Sequence, residues 1–255
     1  MNDSNRANKK GTFSVGTSNI TLPGTKNTFP EAYRSATRLA YYGSLFNTLE
    51  INSSFYKVPM PATFEKWSNE VADGFKFTVK LWREITHAKA LTGKLDDINF
   101  FMKAANRIDN KKKGCLLIQF PASITINFIG KIQKILKRIT GLNTGHQWNV
   151  CVEFRHISWY TREMYAMLDG FNASLVLHDM PASIMFDLHT AAKVVYLRFH
   201  GIKGDYKGTY DDVLLKKYAA KIKMWIQEGK DVYAYFNNTI GAAFENARRL
   251  SDLVQ

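Results

Sequence analysis

The sequence predicts an α/β protein with a (β/α)8 barrel, and two observations lead to this fold. Eight short β-rich runs alternate with stretches of helical periodicity, which is typical of parallel βα units. The 255 residues contain no internal repeat and no Pro/Gly/Ser-rich linker after residue 12, and about 250 residues commonly form one such barrel. We therefore expect a single barrel domain over residues 13–255, preceded by a disordered polar tail over residues 1–12.

The order of the runs along the chain gives the predicted elements. Strands are expected at residues 13–17, 48–52, 75–81, 115–120, 150–154, 174–178, 194–199 and 232–236. Helical periodicity covers residues 33–42, 98–108, 126–139 and 214–227, and residues 242–253 would form the closing helix. The interval between the sixth and seventh strands is too short for a full helix, so this unit is expected to be irregular.

Composition and charge narrow the class of protein. Hydrophobic residues make up 45% of the chain, which excludes an intrinsically disordered protein. The net charge of +13 favours an anionic partner, either a small-molecule substrate or nucleic acid. The basic residues are scattered, however, and the groups at 131–138 and 216–223 fall on predicted helices, where a solvated face is the more common outcome.

Cysteine usage and the start of the chain predict the location. Cys115 and Cys151 lie in apolar runs without CxxC spacing, so we expect buried free thiols, as in a reducing compartment. The first residues are polar and lack the apolar stretch of a signal peptide, and no apolar run approaches the roughly 18 residues of a membrane helix. These observations predict a cytoplasmic protein with no membrane partner.

Polar or ionisable residues end or follow every predicted strand. They are Ser18, Glu50, Asn52, Lys80, Gln119, Glu153, Arg155, His178, Asp179, Arg198, His200, Asn237 and Asn238. The carboxyl ends of barrel strands meet at one rim, where barrel enzymes carry their reacting groups. A strand end can be polar simply because it meets solvent, but eight such endings favour a ligand-binding mouth. The sequence contains no GxGxxG, GxxxxGK[ST], HExxH or GxSxG motif that would favour another kind of site.

The cations at this rim suit an anionic ligand. Lys80, Arg155 and Arg198 are expected to hold a phosphate or a carboxylate, since arginine can bind two oxygens at once. The alternative is that these cations form internal ion pairs that make the rim rigid, such as Glu50 with Lys80 or Glu153 with Arg198. The residue types alone leave both readings open.

The remaining polar residues complete the predicted site. The expected catalytic residues are Glu50, Glu153 and Asp179 as acid/base groups, with His178 and His200 as proton carriers. The same five side chains are of the types that hold a divalent metal, although no spacing in the sequence requires one. Further ligand contacts are expected from Asn52, Tyr56, His87, Gln119, Tyr210, Asn237 and Asn238.

Several strings in this order resemble one family. They are GTSN (16–19), LEINSSFYKVP (49–59), FKFTVKLWREITH (75–87), VEFRHISW (152–159), LHDMP (177–181), YLRFHG (196–201) and YAYFNNTIGAAFENA (233–247). Together they resemble the DUF72, or YecE-like, family over nearly the whole chain after the tail. The resemblance implies a TIM-barrel-like fold and no activity. Asn19 and Ile20 follow GTS, where family members often have Gly and an aromatic residue, so no ligand role is assigned to the first loop.

Three functions remain as expectations. The first is an enzyme acting on a phosphate-bearing substrate, such as a nucleotide, a nucleic acid or a phosphorylated metabolite, by hydrolysis. The second is a non-catalytic protein that binds nucleic acid or a nucleotide with the same basic mouth. The third is a metal-free enzyme on a sugar or carboxylated metabolite, in which Glu50 and Glu153 form the acid/base pair.

Overall fold

The computed structural model describes residues 9–188 and 190–255, and its strands form one parallel sheet. The strands are β1 (Phe13–Thr17), β2 (Thr48–Ile51), β3 (Lys76–Lys80), β4 (Lys113–Phe120), β5 (Asn149–Phe154), β6 (Ser174–His178), β7 (Val194–Phe199) and β8 (Asp231–Phe236). Their order in the sheet is β1-β8-β7-β6-β5-β4-β3-β2, and β1 meets β2 through a parallel bridge between Ser18 and Glu50. The predicted eight-stranded α/β barrel is confirmed.

Helices lie between the strands. They are α1 (Arg38–Leu45), α2 (Ser53–Tyr56), α3 (Pro61–Asn69), α4 (Arg83–Thr86), α5 (Leu95–Ala105), α6 (Ile129–Leu142), α7 (Arg162–Gly170), α8 (Asp212–Gln227) and α9 (Ala243–Val254). Within the described part of the chain, no helix is both long enough and apolar enough to cross a membrane.

The first predicted helix begins later than expected. Periodicity placed its start at residue 33, but α1 begins at Arg38, because the side chain of Thr37 accepts a hydrogen bond from the backbone of Ala40 and caps the helix. A separate 3-10 turn covers Glu31–Tyr33. The sequence prediction also missed α3 and α7, which are each nine residues long.

The unit between β6 and β7 is irregular, as predicted. Its described residues contain a 3-10 turn at Pro181–Ser183 and an antiparallel bridge between His178 and Met185. At the other end of the chain, residues 1–8 of the expected tail lie outside the described residues. Gly11 and Thr12 are hydrogen-bonded to Ile226 and Asp231, respectively.

Side chains complete the junction between β1 and β2. The hydroxyl of Tyr42 accepts from the backbone N–H of Thr17 at 2.7 Å and donates to the carbonyl of Thr48 at 3.1 Å. The side-chain amide of Asn47 likewise accepts from the backbone N–H of Val15 and donates to the carbonyl of Phe13. These groups take the place of ladder hydrogen bonds, and we call this junction the β1–β2 seam. Its close approach leaves no room for a side chain at Gly16, where a Cβ atom would lie 2.2 Å from the carbonyl oxygen of Thr48.

The interior of the barrel has its own apolar cluster, separate from the layer under the helices. Its members are Cys115, Leu117, Cys151, Val176, Val194, Tyr196, Tyr233 and Tyr235. Both cysteines are buried free thiols, as predicted. The hydroxyl of Tyr235 lies between the hydroxyls of Thr48 and Thr78, at 2.6 and 2.7 Å. Because successive strand residues face opposite sides, the next inward positions toward the carboxyl ends carry the predicted site residues.

Candidate functional site

Arg198, near the end of β7, lies at the centre of a buried ion network. Its Nε and Nη2 donate to the two oxygens of Glu50 at 2.8 and 2.7 Å, and its Nη1 donates to Glu153 Oε2 at 2.8 Å. Arg198 is 1% exposed, and both carboxylates are fully buried. One guanidinium therefore joins β2 to β5 across the barrel. We call Arg198, Glu50, Glu153, Arg155 and His200 the Arg198 network.

Both glutamates are held in their ionised form. Burial alone would raise the pKa of Glu50, but the charge and hydrogen bonds of Arg198, with bonds from Ser18 and Tyr196, keep this pKa below its ordinary value. Burial likewise opposes ionisation of Glu153, and Arg155 and Arg198 hold the pKa of Glu153 well below its ordinary value. A carboxylate held in this way is a poor proton donor near neutral pH.

The surroundings of His200 fix its tautomer. Its Nε2 lies 2.8 Å from Arg155 Nη2 and 3.2 Å from Arg198 Nη1, and both guanidinium groups can only donate. Nε2 must therefore be unprotonated, and the proton is on Nδ1, which faces Asp179 Oδ1 at 3.2 Å. Burial lowers the pKa of His200 to about 4, so the ring is neutral at pH 7. His200 therefore serves as an acceptor between two arginines.

Asp179 and Tyr210 hold His200 in this orientation through hydrogen bonds. Asp179 accepts a hydrogen bond from the backbone N–H of His200 at 2.7 Å and a second one from the hydroxyl of Tyr210. The same hydroxyl accepts from the backbone of Gly201 at 2.6 Å, and Tyr210 is 4% exposed. Burial and the charge of Asp179 raise the pKa of Tyr210. The structure thus places Tyr210 in the core, with its hydroxyl on Asp179.

His178 is tied to the backbone by both ring nitrogens. Its Nδ1 accepts from the N–H of Met180 at 3.3 Å, so Nε2 carries the proton and donates to the carbonyl of Phe154 at 3.1 Å. Burial lowers the pKa of His178. The ring of His200 lies 5.9 Å away, between ring centres. His178 therefore joins the ends of β5 and β6 next to the Arg198 network.

Lys80, at the end of β3, has different surroundings from the other cations. Its Nζ donates to Gln119 Oε1 at 3.0 Å and lies 4.2 Å from the centre of the Phe55 ring. Within residues 9–188 and 190–255 it forms no salt bridge, and it is 9% exposed. Burial, followed by the positive charge of Arg198, lowers the pKa of Lys80 to about 7. At neutral pH the Lys80 side chain is therefore present both as the ammonium cation and as the free amine.

The outer rim holds three more of the predicted residues. Arg155 exposes 11% of its side chain, and its Nη1 has no hydrogen-bond partner among the described residues. Asn52 donates to Glu50, which fixes the orientation of its amide, and its buried Oδ1 has no partner in the described chain. His87 stacks edge-on against Phe55 at 4.8 Å between ring centres, and burial lowers its pKa to about 4.

The last three predicted ligand residues form no hydrogen bond with Lys80 in the described chain. Tyr56, the last residue of α2, is 69% exposed, and its ring packs edge-on against Phe55. Asn237 is half-buried after β8. Asn238 is buried, and its amide joins the carbonyl of Gly208 to Asn246 on α9, while its Oδ1 has no partner in the part that the structure describes.

One expected pairing was wrong and another is confirmed. Glu153 pairs with Arg198, as expected, but the partner of Glu50 is Arg198 and not Lys80. In the β2–β3 register Glu50 lies opposite Thr78, so Lys80 is two residues nearer the mouth.

The sequence analysis also missed two contacts. Tyr196, whose hydroxyl donates to Glu50, lies on the same face of β7 as Arg198, and this alternation was a usable signal. Phe55, rather than Tyr56, faces Lys80.

A metal site is not favoured by the donor geometry. Among the described residues, no group of three or more His, Cys, Asp and Glu side chains is arranged to hold a metal ion. The oxygens of Glu50 and Glu153 already accept hydrogen bonds from arginine.

The chain is similar to known proteins over nearly its whole length. A family model described as "Protein of unknown function DUF72" matches residues 14–255. The UPF0759 protein YunF of Bacillus subtilis is 24% identical over 256 aligned positions, covering 89% of each chain. The UPF0759 protein YecE of Escherichia coli K12 is 25% identical over 126 positions, covering 49% of this chain and 44% of YecE.

Solved structures agree on the fold. A DUF72 family protein of Thermotoga maritima superposes with a TM-score of 0.77 at 24% identity, covering 95% of this chain and 99% of that one. A DUF72 family protein of Enterococcus faecalis also gives a TM-score of 0.77, at 19% identity and 95% coverage of both chains. At these identities the likeness shows the barrel fold alone.

Proposed function

Because the chain belongs to the DUF72 family, whose description assigns no activity, we propose a function from the site itself: the carboxyl-terminal mouth of the barrel binds a small phosphate-bearing ligand. The observation that carries this proposal is the environment of Lys80. Its ammonium group is buried beside an amide oxygen and an aromatic ring, without a carboxylate partner in the described chain. A buried cation of this kind is stabilised when an anion binds next to it.

Arg155 supplies a second contact for the anion. Glu153 and His200 already occupy its Nε and Nη2, so the guanidinium is held in one orientation. Its Nη1 remains available, and a guanidinium that is ordered in advance loses little conformational entropy on binding an oxyanion. Arg198, in contrast, is saturated by two carboxylates, and we assign it to positioning rather than to ligand contact.

The arrangement supports a small ligand over nucleic acid. The exposed lysines and arginines of residues 131–138 and 216–223 lie on α6 and α8, which pack around the barrel and do not form its mouth. A nucleic acid needs a basic stripe that follows several phosphates. Of the cations that follow the strands, Lys80 and Arg155 are nearly buried, whereas Arg83, Lys203 and Lys207 are exposed. Two nearly buried cations suit one phosphate group.

Hydrolysis of a phosphoester, the reaction expected from the sequence, has weaker support than binding. Glu50 and Glu153 are both held as carboxylates by Arg198, which disfavours them as a proton donor and as an acid/base pair on a sugar. Burial lowers the pKa of Lys80 to about 7. If the site performs proton transfer at pH 7, Lys80 is the residue we expect to perform it.

Thermal denaturation in the presence of inorganic phosphate or pyrophosphate tests the binding proposal. A ligand that binds only the folded state raises its stability by about 2.7 kcal/mol at 100 times the Kd, so the melting temperature should rise with phosphate but not with chloride at the same ionic strength. We expect the Lys80→Gln/Arg155→Gln double variant to lose this response. The matched control is Lys134→Gln, on the exposed face of α6, which should retain it. An equal rise in wild type and double variant would contradict the proposal.

A further inference from the structure

Lys80 has fewer hydrogen-bond partners in the described chain than its amine can bind. Because an ammonium group only donates, the amide of Gln119 must present Oε1 to it, and this bond takes one of the three N–H groups. The ring of Phe55 covers another side at 4.2 Å without accepting a full hydrogen bond. The nearest carboxylates, Glu50 and Glu153, are both bound to Arg198 instead.

We propose that Lys80 Nζ is a nucleophile that forms an imine with an aldehyde or ketone group of the ligand, so that the substrate class is a phosphorylated carbonyl compound. The phosphate part of this substrate class rests on the function proposed above: Arg155 Nη1 binds the phosphate, and the positive charge of Lys80, which the iminium retains, lies beside it. The imine itself depends only on Lys80 and its surroundings.

The charges around Lys80 favour a neutral amine. The facing groups are Glu50 on β2, Glu153 and Arg155 at the end of β5, Arg198 on β7 and His87 after α4. Burial is the largest effect on the pKa of Lys80, and the charge of Arg198 lowers it further against the opposing effect of the carboxylates. Desolvation and a neighbouring cation are the two ways in which proteins activate a lysine toward carbonyl substrates.

The reaction needs no further reactant. The lone pair of neutral Nζ attacks the carbonyl carbon, a C–N bond forms, and the carbonyl π electrons move to oxygen. One amine proton is transferred to that oxygen, giving a carbinolamine. The hydroxyl group takes a proton from solvent and leaves as water while the nitrogen lone pair forms the C=N bond. The product is an iminium ion, and the face of the Phe55 ring is placed to stabilise this cation.

Reductive trapping tests the inference on the full-length protein. The protein is incubated at pH 7 with glyceraldehyde 3-phosphate and cyanoborohydride, which reduces an iminium to a stable amine, and the modified lysines are mapped by mass spectrometry. At pH 7 a lysine with a pKa near 7 has a free-amine fraction about a thousand times that of an ordinary lysine. After allowance for its weaker basicity, we expect Lys80 to be modified at least about ten times faster than exposed Lys134.

Variants and a neutral probe separate this inference from the binding proposal. Lys80→Arg keeps the positive charge without the nucleophile and should remove the fast site, whereas Lys134→Arg should leave it unchanged. Preferential labelling of Lys80 that is suppressed by inorganic phosphate supports both proposals. Equal labelling of Lys80 by glyceraldehyde and glyceraldehyde 3-phosphate, without protection by phosphate, supports the imine and contradicts the phosphate site. Labelling of Lys80 no faster than that of Lys134 overturns the imine even where phosphate raises the melting temperature.

Discussion

The Arg198→Met variant tests whether the Arg198 network is held together by charge. Removing Arg198 leaves Glu50 buried without its counter-ion, while Glu153 keeps Arg155. The buried Glu50 carboxylate can then become neutral by taking up a proton. From an ordinary pKa of 4.5, protonation at pH 7 costs about 3.4 kcal/mol, which is 2.5 pH units at about 1.36 kcal/mol each. This value agrees with the roughly 3–5 kcal/mol lost when one partner of a buried ion pair is removed.

The pH dependence separates charge from packing. In the wild type the pKa of Glu50 is lowered, so its contribution is present above pH 4.5 and is lost only as the pH falls further. In Arg198→Met the pKa of Glu50 is raised. At pH 5 the variant should therefore lose only about 0.7 kcal/mol of unfolding free energy through the protonation of Glu50, in addition to the loss from packing.

Urea unfolding at pH 7 and pH 5 measures the difference in unfolding free energy between the wild type and Arg198→Met at each pH. The control is Arg249→Met, which removes a two-contact pair with Asp212 at the surface and should leave the unfolding midpoint unchanged. A deficit of the same size at both pH values would refute the charge argument.

Three further outcomes follow from the geometry. Tyr42→Phe should lower the free energy of unfolding by about 1–3 kcal/mol in urea, because Thr17 and Thr48 lose a buried partner, and an unchanged midpoint would contradict this role. Gly16→Ala should cost at least about 2 kcal/mol in the same assay, because its Cβ would overlap the backbone of Thr48; a fully stable variant would show that the β1–β2 seam can widen. Lys80, whose pKa falls from 10.5 to about 7 on folding, should make wild-type stability rise from pH 7 towards 10.5, because the unfolded chain binds a proton that the folded chain does not. Lys80→Met should lack this rise, and parallel pH profiles would contradict the shift.

The strands were well predicted because their residues are β-rich and bounded by polar groups. The bounds of β1, β6 and β7 match the prediction, and the others differ by one or two residues at one end or, for β3, by one residue at both ends. The shorter helices were harder to detect. The buried side chains of α3 are Phe64 and Ser68. Its apolar face is therefore too narrow for the helix to be recognised from hydrophobic periodicity. Local signals were present, namely Pro61 in the first turn of α3 and Thr161 as the cap of α7.

The positions of the candidate residues on the fold were easier to predict than their partners. Every strand of the barrel ends near the same mouth, so the list of candidates follows from the fold prediction. Which side chains pair depends on register and reach, and adjacency of strands suggested Glu50 with Lys80. The register places these two at different heights, and the long side chain of Arg198 reaches across the interior to Glu50 instead.

The β1–β2 seam couples an edge of the barrel to the docking of a helix. In an ordinary ladder the amide of one strand is protected by the next strand, but here the amides of Val15 and Thr17 are bonded to Asn47 and Tyr42. Tyr42 belongs to α1, and Asn47 lies two residues beyond the end of that helix. Both amides therefore become open to hydrogen exchange when α1 moves away, without separation of any other pair of strands. Their exchange rates report the free energy of a local opening, and the β1–β2 seam is the place where we expect the barrel to open locally.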